Sequence, residues 1–135
     1  VIDGEGATKL IEIEVQNAAS KEAAKIIALS IANSPLVKTA IAGCDPNWGR
    51  IIMAIGKSGQ EVIQEKIGIK IGNFQIVQNG EIVANYDEKP VHQYLQNKEV
   101  KISVDINLAK SQNRATVWTC DFTEGYIKIN KDYRS

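Results

Sequence analysis

Eight residues, Gly43-Cys44-Asp45-Pro46-Asn47-Trp48-Gly49-Arg50, combine a turn, a helix start and polar side chains, and chemistry could concentrate there. Pro46 pushes Asp45 toward extended backbone and suits the first position of a helix, which predicts Asp45 as the cap and Asn47 as the start of the helix. Asn47 and Arg50 then share one face of the first turn, and Gly49 between them removes a side chain at about 1 kcal/mol relative to Ala. Two readings stand. In one, the glycine lets a neighbouring strand approach the capped helix, with Trp48 in the core and Arg50 paired to an acid. In the other, free N–H groups and the guanidinium form a site for a carboxylate or phosphate.

The other reactive residue types are scattered. Gly4-Glu5-Gly6-Ala7-Thr8-Lys9 has part of the look of a phosphate loop, but a third glycine is missing and the residues after Lys9 alternate as a strand. What remains is Glu5 between two glycines, projecting from a tight loop toward a ligand bearing an ammonium group, or serving as an ordinary charged turn. Thr8 at a strand entrance has no nearby oxyanion hole and reads as structural rather than as a self-processing nucleophile. His92 is the only histidine, and neither a zinc spacing nor a Cys-His pair surrounds it. Cys44 and Cys120 read as reduced packing residues, without a secretion signal to favour a bridge. The closing Asn130-Lys131-Asp132-Tyr133-Arg134-Ser135 is either a frayed end or a tail docked through Tyr133.

Composition narrows the partners. Sixteen basic residues cancel sixteen acidic ones without a Lys/Arg cluster, which excludes a nucleic-acid or anionic-membrane surface and leaves small molecules and proteins. With 135 residues, 44% of them hydrophobic, the chain can bury a core of its own without metal or disulfide. No leader or bilayer-length apolar run is present, so the expected location is cytoplasmic.

The elements that must position these residues follow from periodicity. Lys9 to Gln16 alternates as a half-buried strand. Ser20 caps a helix with Ala23, Ala24, Ile27, Ala28 and Ile31 as its apolar stripe, stopping at Asn33-Ser34-Pro35. A short apolar stretch, Val37 to Ala42, precedes the motif helix, roughly Pro46 to Ile55, whose buried face is Trp48, Ile51, Ile52 and Ile55. Lys66 to Ile71 and Asn73 to Val77 are strands separated by Gly72, and Asn79-Gly80 is a hairpin turn returning through Ile82 to Ala84. A short helix fits Pro90 to Gln96. Val100 to Leu108 and Arg114 to Asp121 read as an antiparallel pair, and Tyr126 to Asn130 as a last strand. The expectation is a single domain, 1–135, of α+β class, with a mostly antiparallel (mixed) sheet and two or three helices.

Together, Asp3-Gly4-Glu5-Gly6-Ala7-Thr8-Lys9, Ala32-Asn33-Ser34-Pro35-Leu36-Val37-Lys38-Thr39-Ala40, Asp45-Pro46-Asn47-Trp48-Gly49-Arg50 and Asn130-Lys131-Asp132-Tyr133 resemble the ornithine acetyltransferase family of arginine biosynthesis, also called glutamate N-acetyltransferase. The resemblance runs over essentially the whole chain and implies the C-terminal part of the β subunit of a larger self-processed enzyme, with a DmpA/ornithine-acetyltransferase-like fold. It implies acetyl transfer from N2-acetyl-L-ornithine to L-glutamate through an acetyl-threonine, without metal or cofactor, and with acetyl-CoA as a further donor in bifunctional members. Glu5, Asn130 and Ser135 correspond to the family's substrate-binding residues. Asp45, Pro46, Asn47, Trp48, Gly49 and Arg50 form a signature without an assigned substrate contact.

The family's nucleophile lies in an Ala-Thr-Met context that does not occur here, so no catalytic residue is expected in this chain. The isolated chain is expected to be inactive. The implied partners are the α subunit and the N-terminal part of the β chain, in a heterotetramer. Two alternatives stay open: a fragment of a self-processing aminopeptidase of the same fold, and a non-catalytic binding or assembly module.

Overall fold

The computed structural model describes residues 9–110 and 113–121, and the backbone of 128–129. Strand β1, Leu10–Gln16, alternates as expected, with Ile11, Ile13 and Val15 buried and the intervening residues half-buried on the other face. Helix α1, Lys21–Ala32, starts where the Ser20 hydroxyl accepts the Ala23 N–H at 3.0 Å. Its expected stripe of Ala23, Ala24, Ile27, Ala28 and Ile31 is buried.

The next eight residues depart from expectation. Pro35–Ala42 is a helix, α2, rather than an irregular apolar stretch. Ser34-Pro35, read from sequence only as a stop, is also a start: the Ser34 hydroxyl accepts the Val37 N–H at 3.2 Å and Pro35 takes the first helical position. Helix α3 is Trp48–Lys57, and a 3₁₀ turn occupies Gln64–Lys66. Then come β2, Gly68–Ile71, β3, Phe74–Gln78, and β4, Glu81–Ile82. Helix α4, Glu88–Tyr94, is capped by the Asp87 carboxylate and precedes β5, Glu99–Asp105, β6, Ala115–Cys120, and β7, Lys128–Ile129. The described residues thus hold four α-helices where two or three were expected.

All seven strands form one sheet in the order β4-β3-β2-β5-β1-β6-β7. The expected β5–β6 hairpin does not form, because β1 lies between them, parallel to β5 and antiparallel to β6. No two-residue turn signal joins β5 to β6, and the residues linking them easily step over one strand, a span of about 10 Å. The strand between them, β1, has a buried inner face, Ile11, Ile13 and Val15, each at 1% exposure or less. The sheet is therefore mixed, and the α+β class holds.

One core lies between the sheet and the helices. Helix α1 crosses β1 and β6 and packs on α3, so that Ile27 and Ile31 share a buried cluster with Ile13, Ile102, Val117 and Ile55. The opposite sheet face carries Glu12, Glu14, Gln16, Lys101, Ser103 and Asp105, none of them fully buried.

The Asn79-Gly80 turn has positive φ at both residues, 55° and 77°, as a two-residue hairpin of type I′ demands. A Cβ at Gly80 would also run into the carbonyl oxygen of Gln64. Gly80→Ala is accordingly expected to destabilise the domain by about 1–3 kcal/mol, read as a lower urea midpoint at unchanged slope.

Candidate functional site

The link from α2 to α3 is built by a helix ending rather than by a ligand-ready helix start. Cys44 N–H donates to Ile41 O at 3.0 Å and Asp45 N–H to Ala40 O at 2.8 Å, the paired closing bonds of a Schellman ending. The residue in the left-handed conformation is Cys44, with φ 58°, rather than the neighbouring Gly43. A non-glycine residue there costs about 1–2 kcal/mol.

The expected cap shifts by two residues. Asn47, not Asp45, caps α3, its side-chain oxygen accepting the Arg50 N–H at 3.2 Å, and Pro46 sits outside the helix. An Asn side chain reaches the third helical N–H as well as Asp does, and Pro46 stiffens the approach to it. Gly49 is not a notch for a strand: a Cβ there would meet only the Asn47 side-chain oxygen, at an ordinary 3.5 Å. Among the described residues Arg50 has no acidic partner. Its guanidinium donates to the Leu36 carbonyl at 2.9 Å, tying α3 to the start of α2, and Trp48 is half-buried against the core.

Cys44 carries its thiol into a cluster that sequence reasoning missed. Lys9 is 93% buried, and its ammonium donates to Leu95 O at 2.5 Å, Ile41 O at 2.8 Å and Cys44 Sγ at 3.1 Å. Ile41 lies in the last turn of α2 and Leu95 caps α4, so the cation meets the negative ends of two helices. The Cys44 thiol donates in turn to Leu95 O at 3.5 Å. The Lys9 backbone is fixed as well, donating to Asp121 Oδ1 at 2.9 Å and accepting the Asp121 N–H at 3.2 Å. Asp121 is 3% exposed, and its Oδ2 has no partner among the described residues. A signal was available in the alternation. Lys9 shares the inward parity of Ile11 and Ile13, where a lysine must find buried acceptors.

Cys44 and Cys120 are not joined in a disulfide. His92 is exposed on α4, its Nδ1 2.9 Å from the Cys44 carbonyl oxygen. Among the described residues no group of His, Cys, Asp or Glu is arranged to hold a metal ion, and no single helix is long and apolar enough to cross a membrane. The substrate-binding candidates Glu5, Asn130 and Ser135 lie outside the described residues.

The solvent face of the sheet forms an open groove of about 520 Å³, including Glu14, Lys70, Lys101, Ser103 and Asp105 in its lining. Its charges largely satisfy one another, with Lys101 3.1 Å and Arg114 2.9 Å from Glu14. Burial pulls the Lys101 pKa down, but the hydrogen bond and the charges of Glu14 and Glu12 outweigh it and raise the pKa above 10.5.

An α+β domain with helices on one sheet face and its two conspicuous motifs joined through Arg50 and Leu36 defines the class. The profile of the ArgJ family matches residues 1–135, and the chain belongs to that family. It is 57% identical over its whole length to the arginine biosynthesis bifunctional protein ArgJ of Zymomonas mobilis and 54% identical to that of Gluconobacter oxydans. It covers 32% and 31% of those proteins, about a third of the length of the curated relatives it matches. The crystal structure of the arginine biosynthesis bifunctional protein ArgJ from Bacillus halodurans superposes with a TM-score of 0.82 at 47% identity, over 89% of this chain and 55% of that one.

Two predictions follow the geometry. Asn47→Ala should cost about 0.5–2 kcal/mol in denaturant unfolding by leaving the Arg50 N–H without its cap. For Lys101, a raised folded pKa means its stabilisation is complete below 10.5 and is lost as pH rises through the folded value. Because the pair is partly open to solvent, Lys101→Met should lower stability by less than about 1 kcal/mol at neutral pH, and the gap in thermal midpoint should close well above pH 10.5.

Proposed function

We propose that this chain is the C-terminal part of the β chain of a self-processed glutamate N-acetyltransferase. The complete enzyme moves acetyl from N2-acetyl-L-ornithine to L-glutamate, in the cytosol, through an acetyl-threonine formed on a residue this chain does not supply. Acetyl-CoA serves as a second donor, in keeping with the bifunctional naming of the relatives. The observation that carries the reading is the 57% identity to the Zymomonas mobilis protein, in a match that spans all 135 residues.

In this reading the 135 residues form one domain and one wall of a composite pocket, completed by an α subunit and the rest of the β chain in a heterotetramer. The Glu5 carboxylate pairs with the substrate's free ammonium, while Asn130 and Ser135 hold its other polar groups.

Replacing Glu5 by Gln in the complete enzyme removes a charge-assisted hydrogen bond of about 1.5–3 kcal/mol, so kcat/KM for acetylornithine should fall roughly 10- to 100-fold. Unchanged kinetics would sink the assignment. The pure 135-residue chain should release no ornithine from acetylornithine and glutamate; turnover from a preparation with a single band on a denaturing gel contradicts the role given to it.

A further inference from the structure

We infer that Lys9 and Cys44 form a reducible covalent crosslink when the protein meets hydrogen peroxide, with Nζ and Sγ joined as a sulfenamide. The two atoms already lie 3.1 Å apart, on residues 35 positions apart in the chain. Both are held in place by other bonds. The Lys9 ammonium is fixed by Leu95 O at 2.5 Å and Ile41 O at 2.8 Å, and the Cys44 thiol donates to the same Leu95 oxygen at 3.5 Å. A nitrogen and a sulfur kept in contact by their surroundings react as parts of one molecule, which removes the entropy cost of bringing them together.

Cys44 is also the thiol of the two that an oxidant can reach. Reactive cysteines combine partial exposure with a neighbouring positive charge, and Cys44 has both, being half-buried beside the ammonium. Cys120, by contrast, is 2% exposed. The two cysteines are the chain's whole complement and are not joined to each other. Among the described residues, the nucleophile in contact with the Cys44 sulfur is the Lys9 nitrogen.

The chemistry takes two steps. The Cys44 sulfur attacks one peroxide oxygen, so that an S–O bond forms as the O–O bond breaks, and the thiol proton leaves with the departing oxygen as water. Sulfur has then lost two electrons and the peroxide has gained them, leaving a sulfenic acid. Sulfenic acids condense with nitrogen to sulfenamides, and here the nitrogen is a side chain rather than the backbone. Lys9 Nζ attacks the sulfur, the N–S bond forms as the S–O bond breaks, and hydroxide leaves as water with one ammonium proton while a second goes to solvent. Two equivalents of a thiol reductant reverse the bond, returning the amine and the Cys44 thiol and leaving as a disulfide. The crosslink ties the start of β1 to the turn between α2 and α3, and it keeps Cys44 from the irreversible sulfinic acid.

The test treats the complete protein containing this chain with hydrogen peroxide, alkylates the remaining thiols, digests with trypsin in the absence of reductant and reads the peptides by mass spectrometry. Cleavage after Lys9 should be lost. The peptide spanning it should appear joined to residues 39–50, which carry Cys44, at the sum of the two masses less two hydrogens. Dithiothreitol added before alkylation should return the two peptides separately, and Cys44→Ser should abolish the joined species. Lys9→Arg keeps the charge but not the amine, and at equal peroxide it should give no joined peptide and several-fold more sulfinic acid on Cys44.

Normal cleavage after Lys9, with Cys44 recovered as a thiol or as a sulfenic, sulfinic or sulfonic acid, overturns the inference. So does a link from Cys44 to another lysine or to Cys120. A joined mass that retains one oxygen overturns the direct N–S bond. If Lys9→Arg does not fold, the unsubstituted protein decides the matter alone, since its joined peptide is either present and reducible or absent.

Discussion

The contact on which most of the structure turns is a cation in an apolar layer. The Lys9 ammonium sits where the last turns of α2 and α4 converge, and the carbonyls of Ile41 and Leu95 with the Cys44 thiol replace the water it has given up. Taking an ammonium out of water costs several kcal/mol unless its three protons are satisfied, and here each has an acceptor. Helix C-termini are the favourable place for a cation, because the unpaired carbonyls of the last turn carry partial negative charge. The arrangement joins β1, α2, α4 and the Cys44 turn, and through Asp121 it reaches the end of β6. Elements far apart in sequence are thereby fixed to one residue.

The same contact explains an otherwise awkward helix ending. α2 closes with a Schellman pattern in which a cysteine, with a glycine next to it, adopts the left-handed conformation. Placing glycine at position 44 would relax the backbone but leave the cluster without its sulfur. From that ending the chain enters the Asp45–Arg50 signature, whose work is also connection: Asn47 caps α3 and Arg50 reaches back to the Leu36 carbonyl. The two segments that most mark the family, around Ser34 and around Asn47, are thus two ends of one helix pair held together by a guanidinium.

Local patterns made much of this legible. Alternation in β1, the capped stripe of α1 and the Asn79-Gly80 turn each follow from neighbours within a few residues, and each forms as the sequence predicts. Misreadings arose where one signal had two meanings or where the partner was distant. Ser34-Pro35 ends one helix and begins another, and only the beginning was missed. β5 and β6 look like a hairpin because each alternates, but the strand that separates them comes from the start of the chain. Lys9 carried its inward parity openly, yet a lysine at a strand entrance reads as solvated until two helix ends are brought over it. Glu5, Asn130 and Ser135 are candidates through family resemblance alone, because short-range physics makes them a charged turn and a polar tail.

That division has a physical cause. A strand flanked on both sides by partners from the far end of the chain is held almost wholly by non-local contacts, and β1 is such a strand. Its entrance is held by β5 and β6 and by carbonyls at the ends of α2 and α4, none of which a reading of neighbouring residues brings to it. The buried lysine is where these contacts meet, its ammonium on the two helix ends and its main chain on Asp121, so the order of the strand entrance comes from packing across long sequence distances and not from a local turn.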